Sequence, residues 1–126
     1  MSKPLPSVVI FVSDVPRVTN FYQDLAAMRV VSGDASHQVL EIDGFQLVIH
    51  QIYGETDGAG TQGPTLREDS YMKVCLPVSG IEEARRIASE RGGFVKGPEA
   101  EWEARGFRAC DGNDPEGNII QVRVAV

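Results

Sequence analysis

The stretch "NDPEGNIIQVRV", residues 113 to 124, decides how the chain is read. An acidic turn, Asp114-Pro115-Glu116-Gly117-Asn118, opens into an apolar run with strand period. Ile120, Val122 and Val124 share one face of that run. Ile119, Gln121 and Arg123 share the other. A strand of this kind has one face for a core and one for something more polar. Gln121 sits at its centre, polar but not ionisable.

Working outward, the rest of the chain is written twice. "SVVIFVSDVPRVTNFYQDLAAMRVVSG" from Ser7 and "KVCLPVSGIEEARRIASERGGFVKG" from Lys73 share a pattern at an offset of 66 residues. Each begins with a β-branched run ending at a serine, Ser13 or Ser79, and continues with helical spacing. Val15, Val18, Phe21, Tyr22 and Leu25 line one helix face. Ile81, Ala84, Ile87 and Ala88 line the other. Asp14 and Pro16 start the first helix; Ser79-Gly80-Ile81-Glu82 reads as a capping box for the second, and Gly92-Gly93 as its stop. "HQVLEI", Asp43-Gly44 and "FQLVIHQI" form a hairpin with a preferred turn dipeptide. "FVKG", a connection over 98–103, "GFRACDG" and "NIIQVRV" fill the same role later. The expected architecture is α+β, a single domain over 1–126. It divides into a first βαβββ repeat at 5–53, a linker at 54–70 and a second repeat at 71–126. Together the repeats form a curved mixed sheet with the helices outside.

Composition bounds the function. A chain of 126 residues, 42% apolar and 24% charged, is one ordinary globular domain. The net charge of −6 and the lack of a basic stripe argue against nucleic acid. No apolar run is long enough for a membrane span, and the first residues do not read as a signal peptide, so a cytoplasmic location is expected. Cys75 and Cys110 read as two reduced thiols. Strand alternation puts Ser7, His50, Lys73 and Gln121 on faces opposite the apolar ones. Such a mixed face suits a ligand cavity, and equally solvent or a second subunit.

The paired halves resemble the vicinal oxygen chelate superfamily of glyoxalase I, bleomycin-resistance proteins, fosfomycin-resistance enzymes and extradiol dioxygenases. Asp14, Phe21-Tyr22 and Leu25 match its first strand–helix signature, and 114–118 its turn before the last strand. The resemblance implies that metal-using members place ligands at positions matching Ser7, His50, Lys73 and Gln121. Only His50 among these suits a divalent ion, so neither a metal nor another cofactor is expected. The expected function is metal-free binding, as in the bleomycin-resistance group. An aromatic or cationic drug or metabolite would be sequestered at a homodimer interface, lined by Ser7, His50, Lys73, Gln121 and Trp102. Trp102 would stack on the ligand, and Glu99, Glu101, Glu103 and Asp111 would form an acidic rim. The alternative is a glyoxalase-like lyase or isomerase with His50 as base or an atypical metal site.

Overall fold

The computed structural model describes residues 4–52 and 65–126. Strand β1 (Ser7–Val12) leads into helix α1 (Val15–Ala26), followed by β2 (Arg29–Gly33), β3 (His37–Ile42) and β4 (Phe45–Gln51). The second half runs β5 (Val74–Pro77), α2 (Ile81–Glu90), β6 (Phe94–Val95), a 3-10 turn at Pro98–Ala100, β7 (Trp102–Ala104), β8 (Phe107–Asn113) and β9 (Ile119–Ala125). Each half closes into its own mixed sheet: β1-β4-β3-β2 and β5-β9-β8-β6, with β7 on β8. In both, the first and last strands of the repeat pair in parallel and the rest antiparallel. The written repeat is therefore a structural repeat. Of the linker expected at 54–70, residues 54–64 lie outside the described residues; 65–70 contain no strand or helix.

The helix stripes become the core. Val15, Val18, Phe21, Tyr22 and Leu25 are buried, as are Ile81, Ala84 and Ala88. They meet Leu47, Ile49, Leu76, Ile120 and Val122 from the sheets, the same apolar faces that alternation selects. The two helices also pack against each other, α1 lying on β3 and β4 and α2 on β6 and β9. No helix among the described residues is long and apolar enough to cross a membrane.

Two local expectations need correcting. The capping box at Ser79–Glu82 does not form. Gly80 is the N-cap, its backbone extended at φ −168°, and no side chain caps the helix. The helix starts one residue later than the box requires. The connection expected over 98–103 also contains strand: Trp102–Ala104 pairs antiparallel with β8. The turn between them, Arg105-Gly106, has both residues left-handed at φ 43° and 84°, which suits the twist of a tight hairpin. By contrast, Asp43-Gly44 turns as expected, at φ 46° and 80°.

Candidate functional site

The acidic turn of the opening stretch is a clamp between the halves. Asp114 is fully buried. One carboxylate oxygen accepts the backbone N–H groups of Glu116 (2.9 Å) and Asn118 (3.0 Å). The other accepts the Tyr22 hydroxyl and the Asn118 side-chain amide, both at 2.8 Å. Burial raises the Asp114 carboxyl above its usual range, only partly offset by these donors. Burial and the adjoining Asp114 also push the Tyr22 hydroxyl well up, so it remains a donor. Glu116 reaches the start of the other half. Its two oxygens accept the N–H groups of Ser13 (2.7 Å) and Asp14 (2.6 Å), at the N-terminus of α1 where a negative charge is favoured. Gly117 is left-handed at φ 86°, and a side chain there would run into the Thr65 backbone. Both acids thus hold the turn in shape and tie it to the start of α1.

The polar face of the second sheet is a connected chain. Lys73 donates to one oxygen of Asp111 at 2.8 Å, and Gln121 donates to the other at 3.0 Å. Arg123 Nε donates to the Gln121 carbonyl at 2.6 Å. Asp111 sits directly across from Gln121 in the β8–β9 register, which is why the two side chains meet. Burial alone would raise the Asp111 carboxyl. Hydrogen bonds from Lys73 and Gln121 and the charges of Lys73 and Lys96 outweigh it and hold the group below the ordinary range. Gln121 is buried, and Lys73 and Asp111 are partly exposed. A cavity of about 390 Å³ opens over the Lys73–Asp111 end of this chain, walled by Leu66, Met72, Phe94, Glu68, Lys73 and Asp111 among others.

The structure divides the five residues singled out in the sequence. Lys73 and Gln121 join one network. Ser7 lies on β1 opposite Gln46, and His50 on β4 opposite Phe11 and His37, at the far end of the same strand pair. Four residues separate the two rows, about 13 Å of strand. The His50 ring stacks on His37 at 5.9 Å and tilts against Phe11 at 5.7 Å, with Nδ1 at 2.9 Å from the Gln51 carbonyl. Trp102 is on the open face of the second sheet, across from Ala109, but does not line the cavity. The expected acidic rim is largely neutralised: Glu101 bonds Arg85 at 2.7 Å, Glu103 bonds Arg108 at 2.5 Å, and Asp111 holds Lys73. Sequence reading missed Asp111 as the hub and Arg123 as the outer member. Alternation places both on the same face as Gln121, but Asp111 meets it only through the β8–β9 register.

A divalent metal does not fit this arrangement. The lysine ammonium, at one of the four positions, is a cation already held by Asp111. Among the described residues no three His, Cys, Asp or Glu side chains converge as a metal site.

No family model and no curated protein sequence matches the chain. Solved structures do. An integron cassette protein from the mobile metagenome of V. cholerae is 22% identical with a TM-score of 0.64, covering 98% of this chain and 96% of its own. A glyoxalase/bleomycin resistance protein/dioxygenase family enzyme from Burkholderia phytofirmans is 15% identical with a TM-score of 0.70, over 98% and 100%. A variant of the fosfomycin resistance protein FosX from Listeria monocytogenes, complexed with manganese(II) and a dihydroxypropylphosphonic acid, is 16% identical with a TM-score of 0.67, over 100% and 93%. Two mixed sheets of paired βαβββ repeats, helices packed together behind them, and full-length likeness to these structures give the chain the fold of the glyoxalase/bleomycin resistance/dioxygenase proteins.

Proposed function

We propose that the chain binds a small organic molecule in the cavity walled by Lys73 and Asp111, whose pair Gln121 supports from behind, without a metal, and sequesters it. The observation that carries this reading is the Lys73–Asp111 ion pair in the cavity wall. It puts a fixed cation and its counter-ion where metal-using proteins of the resembled superfamily place a ligand. The FosX structure is described with manganese(II); here the matching donor set offers an ammonium, an amide, a hydroxyl and one imidazole. Met72, Leu66 and Phe94 supply apolar surface for a planar body. Glu68, on the same wall, supplies a carboxylate for a cationic end. Phe94 thus takes the stacking role first assigned to Trp102 in this cavity.

The reading includes a homodimer. Val9 and Phe11 project from the edge strand β1, 47% and 49% exposed, and Met72 is 68% exposed beside the same seam. An unpaired edge with apolar side chains is covered in a stable protein by another copy or another element. A single species of monomer mass in equilibrium sedimentation at micromolar protein would remove the dimer from the proposal.

The binding test is a calorimetric titration with a bleomycin-type glycopeptide, which carries a planar aromatic part and a cationic end. Lys73→Ala and Phe94→Ala are each expected to weaken binding roughly tenfold, equivalent to about 1.4 kcal/mol. Prior treatment with a chelator should change neither affinity nor melting temperature. Heat of binding that is absent up to millimolar ligand, or indifferent to both substitutions, rejects sequestration of this ligand class in the cavity.

A further inference from the structure

We infer that Arg105, Phe107 and Arg123, together with Trp102, form a second binding site, one for an aromatic carboxylate. It lies on the open face of the β7–β8–β9 sheet, outside the cavity lining, and touches the network above only where Arg123 meets Gln121. The Arg123 guanidinium lies over the Phe107 ring, its carbon 4.3 Å from the ring centroid; that of Arg105 is 4.9 Å from the same centroid. Two like charges therefore converge on one ring. Neither has a carboxylate within ion-pair distance among the described residues, a lack shared with Arg17 and Arg67 but not with Arg29, Arg85, Arg86, Arg91 and Arg108; only Arg105 and Arg123 converge on one ring. The chain holds 18 acidic residues against 12 Lys and Arg, so acids are not scarce. Two guanidinium groups on one ring, with no carboxylate beside them among the described residues, make a place suited to an anion from outside.

The forks are also positioned. Arg123 has its Nε fixed on the Gln121 carbonyl, which leaves the two terminal nitrogens of the fork without an acceptor among the described residues. Arg105 occupies a left-handed turn position at φ 43°, which a non-glycine side chain adopts at a cost of about 1–2 kcal/mol. Asn or Gly would fill that turn more comfortably. The cost is tolerated at a position whose side chain lies against Phe107. Planar forks match a carboxylate through paired hydrogen bonds better than a point charge does. The aromatic half of the ligand follows from Trp102. Its ring is 43% exposed and 5.9 Å from Phe107 at 64°, on the strand beside β8. It sits across the ladder from Ala109, on the same sheet face as Phe107 and Arg123. An aryl ring laid on the indole face brings its carboxylate to the arginines.

The probe is benzoate, with benzylammonium and benzyl alcohol as controls. Trp102 is the only tryptophan, so its indole N–H gives one resolved NMR signal to follow. Benzoate is expected to move that signal saturably and less so at high salt, and benzylammonium to leave it in place. Arg105→Asn, which suits the turn and so keeps the fold, should weaken benzoate at least about tenfold. Arg123→Lys should do the same, because it keeps the charge and loses the fork. Lys73→Ala should leave the benzoate response intact. The inference is overturned by an indole signal that millimolar benzoate does not move, or by a response that survives in both arginine variants. It is equally overturned by a matching response to benzylammonium, or by loss of the response in Lys73→Ala alone, which would assign it to the cavity. A signal that moves on diluting the protein but not with benzoate would mean that a second copy covers the face, and also overturns it.

Discussion

Asp111 and Asp114 are three residues apart, one at the end of β8 and the other in the turn that follows, and they are held in opposite ways. Asp114 is sealed in the core with four donors and its carboxyl is pushed up by burial. Asp111 faces the cavity and its carboxyl is held down by Lys73 and Gln121. The difference teaches that acidity of sequence does not mark chemistry. The conspicuous acids of the signature turn are mechanical, tying the second half to α1. The carboxylate that lines the cavity is the less conspicuous one, inside a strand.

The sharpest way to break this contrast is to truncate the two aspartates in turn. Asp114→Ala leaves the buried Tyr22 hydroxyl and the turn's N–H groups without an acceptor, and should cost about 3–5 kcal/mol in urea unfolding. Asp111→Ala removes an acceptor from a partly wet network and should cost about 1 kcal/mol or less. Equal losses would mean that the clamp and the network are not different in kind. Glu116→Ala comes next, at about 1–3 kcal/mol, since it uncouples two N–H groups at the start of α1 from the far turn. Glu116→Gln, keeping one acceptor oxygen, should recover part of that loss. A Glu116→Ala protein as stable as wild type would show that the Tyr22–Asp114 bond and helix packing hold the halves together without Glu116.

Much of the fold was legible because two periodicities agree with each other. The stripe Val15, Val18, Phe21, Tyr22 and Leu25 and the alternation in β4, β5 and β9 select the same core, so neither the helices nor the registers had a competing solution. Strand β7 was less legible. Glu101, Trp102 and Glu103 read as charged loop, but the alternation there puts Trp102 on one side and Glu103, paired with Arg108, on the other. The site was legible only by halves. Alternation states which face a residue is on, and it is silent about the row. Ser7 and His50 share a face and are four rows apart, whereas Lys73 and Gln121 are bridged by a residue on a third strand. That bridge depends on pairing between β8 and β9, which is a tertiary fact.

Gln121→Glu introduces a carboxylate at the centre of the last strand and tests the network from inside. The new oxygens would lie about 3 Å from Asp111, and two carboxylates that close do not both ionise readily. Lys73 and Arg123 offset part of the repulsion. A loss of about 1–2 kcal/mol is expected near neutral pH, shrinking as the solution is acidified and one acid takes up a proton. A loss that stays constant with pH would mean the substitution harms packing and not charge.

The smallest effect separates the two aspartates by the sign of their pH dependence. Asp111 has a folded pKa below its ordinary value of 3.8, so its contribution to stability is present above 3.8 and is lost as pH falls through the lowered folded value. Asp114 has a folded pKa above 3.8, so its contribution is fully present below 3.8 and is lost as pH rises through the folded value. Lys73→Met removes the main partner of Asp111 and leaves Asp114 untouched. The Lys73 side chain is 38% exposed, which screens the pair, so the variant should be less stable than wild type by under about 1 kcal/mol near pH 6. That gap should close as pH falls below 3.8 and through the lowered folded value of Asp111, which then becomes protonated in both proteins. Urea unfolding at several pH values in that range reads it directly. A gap that is unchanged in acid would show that Lys73 acts through its packing against the cavity wall and that Asp111, like Asp114, is held by burial.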